Sequence, residues 1–260
     1  MSDVGQIERH TQNRIVKLFT DESGLGYINL GNWEDNPNNN NIEELYLKKY
    51  LVNKACYTEV MASRAIYKLK AEANNADRNL YNNNKEVYKL LRYGVEVSEG
   101  PGERYQRIHF INWDEPEKNH FGIAEEVTFH GYREKRPDIV LYVNGIALVV
   151  LELKRSTVTI GNGIRQSIVN QQKQFIEEFF PTIQLVMAGN DTEGLRYGTI
   201  GTPEKFFLRW KEDEEDSSQL QLDKYLAKIC NKKRLLEIIH DFVLFDGGIK
   251  KLPRYHQYFG

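Results

Sequence analysis

Apolar residues recur at roughly helical spacing over residues 6–20, where Ile7, Ile15, Val16, Leu18 and Phe19 define one face of an amphipathic helix. Gly24 and Gly26 stop it. Residues 32–41 have no periodicity and are rich in turn formers, which marks a surface loop. The helical pattern returns from 42 to about 73 through Leu45, Leu47, Leu51, Val60, Met61, Ile66 and Leu69, and a further helix is expected over 76–91, interrupted by the asparagine run 82–84. After Arg92 short strands are expected at 94–97, 107–112 and 124–129, leading into a long apolar run that ends at Lys154. A helical pattern over 163–179 is ended by Pro181. Short strands follow at 183–188 and 195–200, then a solvated acidic loop at 212–216 and two helices at 222–229 and 233–242. No internal repeat is present.

The chain has 260 residues, 40% of them hydrophobic, enough to bury a sizeable core as one large domain or a core with a helical elaboration. A formal net charge of −2 argues against a wholly cationic surface and leaves room for a local basic patch. Cys56 and Cys230 are the only cysteines and form no CxxC pair, too few for a disulfide framework or a zinc cluster. They are expected to be buried free thiols in a reducing compartment. No run of about eighteen apolar residues occurs, and the N-terminus is polar. The expectation is a cytoplasmic protein without signal peptide or membrane partner.

Residues 136–154 read RPDIVLYVNGIALVVLELK, a buried β-hairpin pattern with Asp138, Glu152 and Lys154 at its ends. Buried charge is costly unless something pairs with it. In a strand, residues i and i+2 share a face, so Glu152 and Lys154 point one way while Leu151 and Leu153 point the other. The face of Asp138 depends on the turn at Asn144 and Gly145. A two-residue type I′ turn pairing Val143 with Ile146 sets Asp138 opposite Leu151, away from Glu152. A three-residue loop with Gly145 left-handed pairs Tyr142 with Ile146 and brings Asp138 onto the face of Glu152. That bulged loop, or an equivalent bulge near Pro137, is therefore expected, because a one-residue slip decides whether the carboxylates meet.

Two carboxylates at a strand end with a lysine beside them suit metal-assisted phosphodiester hydrolysis. Hard oxygen ligands hold Mg²⁺ with waters left in its shell. The alternative is an ordinary surface ion pair. The apolar flank ALVVLELK and the Gln-rich helix that follows weigh against it. Gln166 reaches back over the strand ends, whereas Gln171 and Gln172 are expected to face water or a partner.

These residues are recognisable. Asp138, then Glu152-Leu153-Lys154, then Gln166 resembles the PD-(D/E)xK nuclease motif of the RecB-like branch. The segments IERHTQNRIVKLF, IRQSIVNQQ, GLRYGTIGTPEKFFLRW and FVLFDGGIKKLPRYHQYFG resemble, in order, the N-terminal region of the restriction (R) subunit of type I restriction-modification enzymes. The resemblance implies an α/β fold: a restriction-endonuclease-like mixed β-sheet flanked by helices, with an N-terminal helical elaboration. It implies an endonuclease domain over 1–232 with a helical insertion at about 42–91, and the start of the junction to an ATP-dependent motor over 233–260. Asp138, Glu152 and the Leu153 carbonyl would hold the metal, Lys154 would be the catalytic lysine, and Gln166 the helix glutamine. Glu8 is the candidate for a further acidic ligand on the first helix, a position that equally suits the helix dipole. Some members carry a tyrosine four residues after the glutamine; this chain has Asn170.

The ending RYHQYFG resembles the glutamine motif of such motors, so Arg254 and Gln257 would contact nucleotide in a longer protein. No GxxxxGK[ST] pattern occurs, and the chain is expected to be an N-terminal fragment that does not hydrolyse ATP by itself. Lys135, Arg136, Arg155 and Arg165 surround the motif and could neutralise duplex DNA phosphates. Lys250, Lys251 and Arg254 form a second basic cluster, with the motor interface of a longer protein as its alternative role. Trp33, Trp113 and Trp210 are read as packing residues. The resemblance implies methyltransferase and specificity subunits as partners, and non-specific Mg²⁺-dependent cutting after ATP-driven translocation. Rival readings are a non-catalytic DNA-binding or motor-docking module, or another RecB-like repair nuclease.

Overall fold

The apolar run becomes the central strand of a six-stranded sheet in a computed structural model, which describes residues 3–213, 215 and 218–260, with side chains from Arg9 onward. In chain order the elements are α1 (Asp3–Thr20), β1 (Ile28–Asn32), α2 (Glu44–Asn53), α3 (Glu59–Ala73), α4 (Leu80–Tyr93), β2 (Val95–Val97), β3 (Gln106–Ile108), β4 (Phe121–Glu125), β5 (Ile139–Val143) and β6 (Ile146–Leu153). There follow α5 (Ile160–Asn170), β7 (Leu185–Asn190), β8 (Gly194–Gly198), α6 (Gln221–Ile229), α7 (Lys232–Phe242), β9 (Leu244–Asp246), β10 (Ile249–Lys251) and α8 (Tyr255–Phe259).

The main sheet runs β1-β4-β5-β6-β7-β8. It is mixed: β1 is parallel to β4 and β6 to β7, while the other neighbours are antiparallel. Every residue of β6 is buried, the mark of a strand covered on both faces. Each of its Val, Leu and Ile side chains contributes about 1.5–3 kcal/mol by leaving water. One face carries the larger core, to which Ile15 and Phe19 of α1, Leu226 of α6 and Leu235 of α7 contribute. On the other face Val140, Tyr142, Ala147 and Val150 pack against Phe179 and Phe180, and α5 covers Ala188. This is the expected mixed sheet flanked by helices.

Several local expectations differ from what forms. The apolar pattern of 42–73 is two helices, because Thr58 is extended (φ −72, ψ 157) and caps α3 by accepting the Met61 N–H. The asparagine run 82–84 does not interrupt α4: Asn79 caps the helix on the Asn82 N–H, and Asn83 and Asn84 face inward. α5 ends at Asn170, and Pro181 falls within a 3-10 segment, Glu177–Thr182. β1 was not expected, since INLGN lacks apolar alternation and joins the sheet at its edge. Cys230 is buried but Cys56 is exposed, with φ 59, where the chain turns between α2 and α3. Within the acidic run, Glu212 accepts from Trp210 Nε1 (2.8 Å) and Arg234 (2.6 Å), so it anchors the loop; Glu214 and Asp216 lie outside the described residues.

Lys250 and Lys251 also part company, because successive strand residues point to opposite sides. Lys251 is exposed beside Asp246. Lys250 is buried, its Nζ donating to Asn84 Oδ1 (2.8 Å) and Gln184 Oε1 (2.6 Å), which fastens β10 to α4 and to the segment leading into β7. Burial without a carboxylate partner pushes its pKa well below the lysine range. The unfolded chain therefore binds the extra proton between the two values, and the cost of burying Lys250 is relieved as pH rises through that window towards about 10.4. Urea denaturation at stepped pH is expected to show the wild type gaining stability relative to Lys250→Met as pH rises; parallel curves contradict this.

Candidate active site

The β5–β6 turn has two residues, not three. Val143 pairs with Ile146, and Asn144 (φ 54) and Gly145 (φ 85) both take positive φ, as a type I′ turn requires. By itself this would aim Asp138 away from Glu152. The correction lies further along: Tyr142 pairs with Ala147 but Leu141 pairs with Val149, so Leu148 is an extra residue in β6. Leu148 and Val149 consequently both face the larger core. Beyond the bulge Ile139 pairs with Leu151, and the next step places Asp138 opposite Glu152. The expected convergence occurs, through a bulge at Leu148 rather than in the turn or near Pro137.

The turn itself is buried. Asn144 donates to the Phe110 carbonyl (2.9 Å) and to Asn119 Oδ1 (2.8 Å) and accepts from the His120 N–H (2.7 Å), which fixes the register from that end.

At the other end Asp138 Oδ2 accepts the Leu153 N–H at 2.7 Å, so this carboxylate clips the start of β5 to the end of β6. Lys154 Nζ lies 3.8 Å from Asp138 Oδ2 and donates to the Leu153 carbonyl at 3.0 Å. Glu152 is fully buried. Its Oε2 accepts from Gln166 Nε2 at 2.7 Å and its Oε1 from Asn170 Nδ2 at 3.4 Å. Burial first, and then the facing Asp138, push the Glu152 pKa well up; Lys154 opposes this.

α5 can reach this carboxylate because of how it begins. Thr159 caps it through the Gly161 N–H, and Glu193 Oε1 accepts the Ile160 N–H at 2.8 Å. One turn on, a Cβ at Gly163 would lie 3.2 Å from Ala188 Cβ, 3.4 Å from Lys154 Cγ and 3.5 Å from Glu152 Cβ. The missing side chain lets the helix lie close over the ends of β6 and β7. Gln166 and Asn170, one turn apart on the same helix face, then project onto one carboxyl.

Asp138, Glu152, Leu153, Lys154 and Gln166 are thus brought together as the sequence suggested. Asn170 joins them, a residue singled out only as a departure from the family pattern; its i+4 spacing from Gln166 was the available signal. Glu126 was missed altogether. It follows β4 with φ 50, its N–H donates to the Asp138 carbonyl, and its charge adds to the upward push on Glu152. Arg136 Nε pairs with Glu126 at 2.9 Å and Arg9 approaches it at 3.6 Å, so Arg136 is engaged at the rim of the site. Arg165 is committed to Glu204 (2.6 Å) and Asn162 (2.5 Å). Arg155 is half-buried and makes no ion pair among the described residues, while Lys135 lies over the Phe175 ring at 4.6 Å. Gln171 does not face water: it is buried and ties Ser167 to Gly201, whereas Gln172 is exposed. Glu8 belongs to α1, and its side chain lies outside the described residues. Arg254 and Gln257 are exposed: Arg254 precedes α8 as its N-cap, and Gln257 Oε1 on the helix accepts the Arg254 N–H at 2.8 Å.

Two carboxylates and a main-chain carbonyl form an all-oxygen set of the kind a hard divalent cation takes, and a cation that keeps several waters needs few protein ligands. The buried carboxyl of Glu152, facing Asp138 with one lysine nearby, is a charge arrangement that such a cation would relieve. The residues therefore fit Mg²⁺.

The family model described as "Type I restriction enzyme R protein N terminus" matches residues 6–205. Over 199 residues the chain is 28% identical to the type I restriction enzyme HindI endonuclease subunit of Haemophilus influenzae, covering 68% of this chain and 18% of that one. A putative type I restriction enzyme MjaVIIIP endonuclease subunit of Methanocaldococcus jannaschii is 26% identical over 190 residues, 67% of this chain and 18% of the relative. The type I restriction enzyme EcoprrI endonuclease subunit of Escherichia coli is 24% identical over 151 residues, 56% and 48% of the two chains. The chain thus spans under a fifth of the first two relatives.

Replacing Glu152 by Gln removes a buried carboxyl that faces another while retaining an acceptor for Gln166. In EDTA the Glu152→Gln chain is expected to be more stable than wild type by about 1–3 kcal/mol. Mn²⁺ is expected to raise the melting temperature of the wild type and to leave that of the variant unchanged. A lower melting temperature in EDTA, or an undiminished Mn²⁺ response, contradicts the arrangement.

Proposed function

The chain belongs to the type I restriction enzyme R protein N-terminal family, and on that premise we propose that it is the DNA-cutting domain of a restriction subunit, a Mg²⁺-dependent endonuclease acting on duplex DNA. The observation that carries this reading is the buried Glu152 opposite Asp138, with Lys154 and the Leu153 carbonyl at the same sheet end. The names of the relatives, which are endonuclease subunits, support it.

Each residue has a definable task. Asp138 and Glu152 present the carboxylate oxygens, and Gln166 and Asn170 keep Glu152 from rotating away. The Leu153 N–H holds Asp138 in place. Lys154 keeps its ammonium at the carboxylates, where it stabilises charge gathering on the phosphate or orients the attacking water. Asp138, Glu152 and the Leu153 carbonyl would hold Mg²⁺, which would supply Lewis acidity to the phosphate and to water. Arg155, the residue after Lys154, would neutralise a backbone phosphate without reading sequence.

In the whole protein, cutting would be non-specific and would follow ATP-driven translocation by a motor elsewhere in the polypeptide, with Arg254 and Gln257 contributing to the nucleotide contacts. Methyltransferase and specificity subunits would supply modification and target recognition.

Lys154→Ala introduced into the full-length subunit, assembled with its partners, is expected to lower cleavage of a plasmid substrate by about a thousandfold. ATP hydrolysis and translocation should stay close to wild type. Cutting retained at wild-type rate would remove Lys154 from the mechanism.

A further inference from the structure

The end of the main sheet opposite the carboxylates opens into a cavity of about 1160 Å³. Phe121, the first residue of β4, lines it and pairs with Val143 beside the hairpin turn. Glu126 lies five residues along the same chain segment, about 17 Å away at the rise of a strand. A small ligand here is therefore remote from Asp138 and Glu152, and nothing about it depends on the nuclease reading.

The lining is cationic in a chain whose formal charge is −2: five lysine and arginine side chains against two carboxylates. Two of the cations are spent, Lys118 on Glu115 (2.5 Å) and Lys232 on Glu117 (2.9 Å). Lys49, Lys54 and Arg92 make no ion pair among the described residues. Lys49 and Lys54 are exposed, and Arg92 is steadied by the Tyr88 hydroxyl (3.2 Å) and the Tyr93 ring. Burial lowers the His120 pKa; its own backbone opposes this and Lys49 adds to the lowering. An anion entering the cavity would balance the cations that have no ion-pair partner.

Aromatic surface accompanies the charge. Tyr46 lies against His120 with centroids 5.9 Å apart, Trp113 lies against His240 at 5.0 Å, and all four residues line the cavity. Rings beside phosphate-seeking cations match a ligand with a planar base and a phosphate, since stacking and charge-assisted hydrogen bonds are then both available. The volume is that of a ligand larger than inorganic phosphate.

We propose that this cavity binds a nucleoside phosphate, either free or as part of a single strand, with Lys49, Lys54 and Arg92 on the phosphate and the aromatic pairs against the base. The phosphate contacts are the exposed and adjustable part of the site. The aromatic pairs are anchored, Trp113 through its Nε1 donating to the Leu91 carbonyl at 3.1 Å.

Fluorescein-labelled oligothymidylate of about eight nucleotides, titrated against the 260-residue chain in EDTA and read by anisotropy, tests this, with unlabelled adenosine monophosphate as competitor. The wild type is expected to bind saturably. Lys49→Glu combined with Lys54→Glu should weaken binding at least about tenfold, with an unchanged melting temperature because both side chains are exposed. The same charge change at Lys173→Glu and Lys205→Glu, near α5, should leave affinity as in the wild type. Tyr46→Ala should weaken binding several-fold. Displacement by adenosine monophosphate assigns the site to free nucleotides; binding of the oligonucleotide without displacement assigns it to a single strand. The proposal is overturned if the oligonucleotide does not bind saturably and titration calorimetry with adenosine monophosphate also shows no binding, or if the two double variants lose affinity equally.

Discussion

Glu152 sits where it does because β6 carries one residue more than β5 between the turn and the sheet end. A type I′ turn alone leaves Asp138 and Glu152 on opposite faces of the sheet. The extra residue at Leu148 shifts every later residue of β6 by one, and with it the face on which each side chain lies. Two successive residues, Leu148 and Val149, then enter the same core, which has room for both. The bulge is held from both ends, by Asn144 in the buried turn and by the Asp138 carboxylate on the Leu153 N–H.

Once that register is set, the neighbourhood of Glu152 follows from close approach. Gly163 removes the side chain that would hold α5 off the sheet, and the helix places two amide donors on a carboxyl with no access to water. Those donors offset only part of the desolvation cost. Asp138 and Glu126 add negative charge that Lys154 does not balance. A site of this kind is unfavourable for the fold, since a buried carboxyl keeps part of its desolvation cost beside other negative charge.

The two ends of the sheet differ in the groups they bury and expose. Carboxylates gather where β4 and β6 end and β5 begins, whereas lysines, an arginine and aromatic rings gather around the hairpin turn. β4 and β5 connect the two ends as buried strands, so neither end can shift without disturbing the core between them. The C-terminal hairpin is fastened to the same core by buried Lys250, which a surface reading of the basic residues near the C-terminus had placed outside.

Strand and helix patterns, the buried hairpin, and the spacing of Asp138, Glu152, Lys154 and Gln166 were legible in the amino-acid sequence, because alternation and helical periodicity are local properties of neighbouring residues. The requirement for one extra residue in the hairpin was legible too, from the demand that two carboxylates share a face. Its location was not, since a bulge at the turn and one at Leu148 satisfy the same arithmetic, and the choice depends on how Asn144 is held by residues distant in the chain. Glu126, Asn170 and the outward Cys56 escaped for the same reason. Their roles come from a left-handed residue beyond a strand, a helix resting on a glycine and a break between two helices. Local pattern determined which residues could meet; packing across the sheet decided which ones did.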